Sequence, residues 1–149
     1  MEDAPGEGTS WVDMALRRVV LRDGSNQQWI YLSEEAVQDA GPARGFPIVI
    51  GTPEALEIQR VLQGELPDRP LTHQMALSAI EALDARILAV EISDLRNNTF
   101  FARLVLQKAD GKTVRVDARP SDALALALRA GAKICAPEDL LEQLRHEEP

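Results

Sequence analysis

The residues best placed to do chemistry lie in one short stretch. A strand-like run of Val114, Arg115, Val116 and Asp117 passes through Ala118, Arg119, Pro120, Ser121 and Asp122 into an apolar segment. Proline favours the first position of a helix, which assigns Arg119 to the N-cap, where Ser, Thr, Asn or Asp normally supplies an accepting oxygen. An arginine there leaves backbone N–H groups uncapped and adds a full positive charge to the partial one of the helix start, so the turn suits an anion. Arg119 also has a plainer use, a pair with Asp117 or Asp122 that merely staples the turn.

Other groups of residues accompany this one in a fixed order. Phe46, Pro47, Ile48, Val49, Ile50, Gly51 are followed by Glu54 and Ala55; then come Arg69, Pro70, Leu71, Thr72, His73; then Asp94 and Leu95 with Thr99, Phe100, Phe101, Ala102. On these residues and the Arg119 to Ala123 run, the chain resembles the bifunctional nuclease family, also called the DNase-RNase domain. The resemblance covers roughly Val12 to Ala136, and the ordered set is more specific than any one member. It implies hydrolysis of both DNA and RNA, with nucleic acid as substrate. The chain departs from the pattern at Asn98 and Phe101, where Gly and Tyr are expected, and at Gln74, where an acidic residue is usual. The connection from Ser33 to Arg44 is also longer than the expected short turn.

Phosphodiester hydrolysis takes an activated water, stabilised charge on the phosphate and usually one or two divalent ions held by carboxylates. The catalytic candidates are His73 for proton transfer, Arg119 for the phosphate, and Asp117 and Asp122 as base or metal ligands. Arg69, Arg119 and Ser121 are candidates for substrate binding, and Asp117, Asp122 and Asp94 for a divalent metal ion such as Mg2+ or Mn2+. Glu54 is the weakest candidate, because a first-turn Glu is explained by the helix dipole alone. Structural uses stand beside these roles: a core histidine bonded to a carbonyl for His73, a first-turn acid for Asp122, a turn residue for Asp94. No His-x-x-x-His, paired Cys or calcium loop is present, so any metal site must be assembled from distant segments. The chain also lacks a Gly-x-Ser-x-Gly elbow, a P-loop and a dinucleotide fingerprint, and Ser121 reads as a helix-start hydroxyl rather than a nucleophile.

Composition bounds these readings. A chain of 149 residues suits one domain that buries about two thirds of its unfolded surface. The formal charge of −8 excludes a general nucleic-acid coat, whose affinity would come from Lys and Arg displacing counterions. It leaves room for a nuclease with a small local site. It also sustains a reading of another class, a non-catalytic module that uses the Arg119 helix start to hold an anionic ligand or a protein partner. Cys135 is the single cysteine, which rules out an internal disulfide and fits a reducing cytoplasm. Met1 to Gly8 has no basic start or apolar run, and no stretch reaches the roughly 18 apolar residues of a membrane span. A cytoplasmic protein without membrane association is therefore expected, and a homo-oligomer is compatible with the sequence.

The elements that must position the candidates follow from periodicity. Residues 1–10 are polar, acidic and glycine-rich and read as a disordered tail before a single domain over 11–149. Strands are expected from Trp11 to Leu21, Trp29 to Leu32 and Phe46 to Ile50, with Asp23 and Gly24 as a turn and a short helix capped at Ser33 to Glu35 and ending near Gly41. A helix with Thr52 as N-cap, Pro53 at its first position and Gly64 as stop carries a stripe of Ala55, Ile58 and Leu62, with Glu57 and Arg60 one turn apart. A second helix starts at Thr72 with Ala76, Ile80 and Leu83 on its core face, near His73. Strands resume at Ile87 to Ile92, Phe100 to Leu106 and, after a tight Asp110–Gly111 hairpin, Thr113 to Asp117. Alternation places Arg115 and Asp117 opposite Val114 and Val116, with Asp117 expected beside Arg119. The run Ala123 to Leu128 marks a helix buried all round.

Pro53 to Gly64 aligns with Pro120 to Gly131 without a gap, which suggests an internal duplication of a unit of three strands and two helices, near Val12 to Leu83 and Arg86 to Leu144. The expected fold is a single α+β domain with a mixed, largely antiparallel sheet and packed helices.

Overall fold

The computed structural model describes residues 8–35 and 41–145. Its elements run β1 (Trp11–Val20), β2 (Gln27–Glu34), β3 (Gly45–Gly51), α1 (Thr52–Leu62), α2 (Thr72–Ala82), β4 (Arg86–Arg96), β5 (Thr99–Gln107), β6 (Thr113–Ala118), α3 (Pro120–Ala130), β7 (Lys133–Pro137) and α4 (Glu138–Arg145). The fold is a single α+β domain around one mixed sheet of order β3-β2-β1-β7-β4-β5-β6. The sheet curls until Phe46 of β3 stacks on Phe100 of β5, ring centroids 5.2 Å apart.

The order has a two-fold plan. β7 runs antiparallel to β1 and parallel to β4, so β1 and β4 oppose each other. A two-fold axis normal to the sheet at β7 then relates the meander β1-β2-β3 to β4-β5-β6. Each edge strand feeds a helix, α1 or α3, and the two helices meet over the sheet. The expected halves are present in this topology with one correction: β7 separates α3 from α4, so the second half is not simply three strands followed by two helices. Lys133 to Pro137 is too short to carry a periodic pattern of its own, and its place is fixed by pairing with β1 and β4.

Burial follows the strand period. Phe46, Ile48 and Ile50 of β3 are buried while Pro47 and Val49 are exposed, and Val90, Ile92, Ala102 and Leu104 form the floor on which α3 lies. Every residue from Ala123 to Ala127 is buried; the three alanines bring α3 close to the sheet and Leu124 and Leu126 fill the remaining space. The helix stops at Gly131, whose φ of 67° is the left-handed conformation that glycine adopts without a Cβ penalty. Arg119 is its N-cap and Pro120 its first residue, as the sequence indicates.

Other boundaries differ. Gly51, not Thr52, is the N-cap of α1. Leu62 and Leu83 are 55% and 77% exposed, because the last turns of α1 and α2 overhang the core instead of extending its stripe. Ser33 and Glu34 continue β2, Glu35 and Gly41 are not helical, and residues 36–40 of the short helix expected there, like most of the expected N-terminal tail, lie outside the described residues. Asp110 and Gly111 sit within the longer connection 108–112, closed by the Lys108 N–H bond to Lys112 O at 2.8 Å. The two-residue hairpin is instead Asn97–Asn98, between the paired Arg96 and Thr99. Both asparagines have positive φ, 51° and 61°, the region Asn tolerates best after Gly. The departure from Gly at Asn98 therefore keeps the turn.

Candidate active site

Helices α1, α2 and α3 all begin at one cavity of about 500 Å³, bordered by Pro53 and Glu54, by Leu71, Thr72 and His73, and by Arg119 and Asp122. Their N-caps are Gly51, Leu71 and Arg119, and none makes a side-chain capping bond. Each helix start leaves up to four N–H groups without an intrahelical partner and carries about half a positive charge. Gln74 takes up part of this role for α2, its Oε1 accepting the Leu71 N–H at 2.9 Å. The departure from an acidic residue at this position keeps that bond and gives up the charge.

Asp122 is the node of the site. Its Oδ1 lies 2.8 Å from His73 Nε2 and its Oδ2 accepts from Arg119 Nε at 2.9 Å. Arg119 Nη1 is 3.5 Å from Glu54 Oε1. Burial disfavours the Asp122 carboxylate, but the bonds from Arg119 and His73 outweigh it and hold its pKa below the ordinary 3.8. The bond to Asp122 raises the already high pKa of Arg119 further. Ionised Asp122 only accepts, so the bonded His73 nitrogen, Nε2, carries the proton, and Nδ1 is the ring nitrogen turned to other partners. Arg119 thus does staple the turn to Asp122, yet its side chain is 66% exposed; it is not half of a buried pair.

A third carboxylate borders the same cavity. Glu57, fully buried, bonds Arg60 of its own helix at 3.0 Å and Arg129 of α3. Burial pushes its pKa up, and Arg129 and Arg60 bring it below 4.5. The Glu57–Arg60 pair was legible from one-turn spacing, but the Arg129 partner, 72 positions on, was not. Glu54, the weakest candidate, also lies at the site. The part of this convergence readable from the sequence was the Arg119 N-cap, which supplies no capping oxygen; at α1 the sequence offers Thr52, whereas the N-cap is Gly51.

The remaining candidates are placed elsewhere. Asp117 pairs across the strands with Arg103, and Arg103 with Glu91, whereas Val116, Leu104 and Val90 share the opposite face, which α3 covers over β4 and β5. Asp117 is therefore on the sheet face away from the helices and makes no ion pair with Arg119, which corrects the expected adjacency: alternation was right, but the face the helices cover is set by tertiary packing. Asp94 opposes Phe101, on that same outer face, with Arg96 Nε 2.9 Å from its carboxylate. Arg69 is exposed and borders neither of the two cavities that flank Arg119. Ser121 is buried and lines a second cavity on the other side of Arg119. Among the described residues no three His, Cys, Asp or Glu side chains converge as a metal ion would require. The expected set of Asp94, Asp117 and Asp122 is divided by the sheet and does not fit a resident divalent ion.

Comparison with known proteins agrees with the signatures. A family model described as the bifunctional nuclease domain matches residues 36–149. Two uncharacterized proteins of Mycobacterium tuberculosis, one from strain CDC 1551 / Oshkosh and one from strain H37Rv, are each 40% identical over 107 residues, 72% of this chain. The match spans 63% of the length of these curated relatives. No helix among the described residues is long and apolar enough to cross a membrane.

Proposed function

The chain belongs to the bifunctional nuclease domain family, and from that premise we propose that it hydrolyses phosphodiester bonds of DNA and RNA at the cavity where α1, α2 and α3 begin. The observation that carries this reading is the continuous bonding of His73, Asp122 and Arg119 beside three helix starts whose N-cap residues make no side-chain bond. Asp122 holds the His73 ring with its proton on Nε2. Nδ1 then takes a proton from a water as that oxygen attacks phosphorus; the P–O bond to the leaving oxygen breaks, and the proton returns from the imidazolium to the leaving oxygen. Arg119 and the backbone N–H groups balance the charge on the non-bridging oxygens, the group of effects that supplies most of the barrier reduction in phosphoryl chemistry. The carboxylates expected to hold Mg2+ or Mn2+ do not converge, so this chemistry rests on protein groups and the ions enter as assay variables.

Labelled DNA and RNA incubated with the protein, with and without Mg2+ or Mn2+, test the reading. Both polymers should be cut, and Arg119→Ala should slow cleavage by about 100-fold or more, the scale for loss of one preorganised charge stabiliser. A second reading, a non-catalytic module holding an anion or a partner at the same site, draws support from the two carboxylates that already engage Arg119. It is favoured if the protein binds the polymers and leaves them intact under every ion condition.

A further inference from the structure

Arg119 borders two cavities. One is the site above; the other, of about 350 Å³, lies between β3, the tip of the β4–β5 hairpin and the start of α3, within the range of small-molecule sites, roughly 300–1,000 Å³. We propose that this second cavity holds the nucleobase next to the phosphate bound by Arg119, an inference that rests on the phosphodiesterase reading.

Two independent features point to a ligand there. Ser121 is 5% exposed and lines the cavity, and its hydroxyl has no hydrogen-bond partner among the described residues. A bound polar group would find that hydroxyl with its donor and acceptor capacity unspent. The second feature is the open edge of the sheet. Glu34 N–H donates to Arg44 C=O at 2.8 Å, and the β2–β3 register then runs unbroken to Gly51. Hydrogen-bonded pairs recur at every second residue of an antiparallel ladder. Phe46, Ile48 and Ile50 therefore spend their main-chain groups on β2, while Pro47, Val49 and Gly51 turn theirs to the open edge, and all three line the cavity.

The N–H and C=O of Val49 offer an adjacent donor and acceptor. Every nucleobase has an edge with an acceptor beside a donor, so such a pair takes any base without reading its identity. The ring of Phe100, already stacked on Phe46, supplies an apolar wall. A base seated on β3 with its phosphate at Arg119 puts the neighbouring scissile bond toward His73, with binding energy drawn from a group that all nucleic acids share.

The edge also provides a clean variant. Pro47 already stands at an open-edge position, so Val49→Pro at the next such position removes one outward N–H while the pairing with β2 is kept. Calorimetry with adenosine 5′-monophosphate and ribose 5-phosphate isolates the base. The nucleotide should bind the wild type about tenfold tighter or more, the range for one stacked base. Val49→Pro should bring the two affinities together while leaving that of ribose 5-phosphate unchanged, and Ser121→Ala should weaken nucleotide binding several-fold. Equal affinities in the wild type, binding of neither probe, or a folded Val49→Pro protein that keeps the preference overturns the proposal. If Val49→Pro does not fold, Ser121→Ala decides, and an unaltered preference in it overturns the proposal. A protein that shows the base preference and its loss in Val49→Pro, yet cuts neither DNA nor RNA, supports the subsite and refutes the phosphodiesterase reading.

Discussion

Glu57 and Asp122 are built on one plan and set in different surroundings. Each is a helical carboxylate bonded to a basic residue three positions away, Arg60 on the same helix or Arg119 at its N-cap, and to a second basic group on another helix, Arg129 or His73. Both border the same cavity. The Glu57 side chain is 2% exposed and both its partners are permanently charged. That of Asp122 is 31% exposed, and one of its partners is a histidine. Burial makes the first node a tie between α1 and α3, where stranding a charge is costly. Exposure and a titratable partner leave the second able to exchange its contacts for water and substrate. The contrast assigns stability to Glu57 and chemistry to Asp122.

The largest expected effect is kinetic. His73→Ala removes the proton acceptor on α2, a helix with no fully buried residue, and should lower turnover by about 100-fold to 10,000-fold with little change in the denaturation midpoint. Next comes Glu57→Ala, which strands Arg129 in the α1–α3 contact and should destabilise the fold by about 3 kcal/mol or more. Its folded fraction, measured in urea, should still cut at nearly the wild-type rate per folded molecule. If Glu57→Ala abolishes cleavage without loss of stability, the two nodes have been assigned the wrong way round.

Acid should disturb both nodes in the same direction. Glu57 is held below 4.5 and Asp122 below 3.8. A carboxylate with a lowered folded pKa contributes stability that is fully present above its ordinary value and is lost as pH falls through the lowered one. Urea midpoints should therefore hold from neutral pH down to about pH 5 and fall below that, and the Glu57→Gln protein should fall less steeply. A smaller effect concerns Cys135, buried in β7, whose thiol is pushed up to about 12 by burial and the nearby Glu91 and Asp13 carboxylates. At pH 8 the native protein should resist alkylation and the unfolded chain should not, as mass spectrometry after iodoacetamide treatment would record.

These two nodes also mark the limit of what the sequence discloses. The start of α3 was legible because Pro120, the buried Ala123 to Ala127 run and Gly131 act locally, and so was the one-turn Glu57–Arg60 pair. That His73 would share a site with Arg119 and Asp122 rested on the family resemblance and on its helix-start position, and the structure places its ring against Asp122. Asp117 was misplaced although its alternation was read correctly, because nothing local tells which face of a sheet the helices will cover. Asp94 went to that same outer face. Glu54 was undervalued because a first-turn glutamate has a sufficient local reason, whereas its second use depends on where α3 begins. β7 was missed because five residues between two helices show no period of their own.

Asp122→Asn tests the division between the nodes most directly. The side chain keeps its shape and loses the charge that engages Arg119 and fixes the His73 ring. Because both contacts are partly exposed, its denaturation midpoint should correspond to a stability within about 1 kcal/mol of the wild type. Its single-turnover cleavage of DNA and RNA should fall by about 100-fold or more. A protein that unfolds with the substitution, or one equally stable that cleaves at the wild-type rate, would contradict the assignment of chemistry to Asp122.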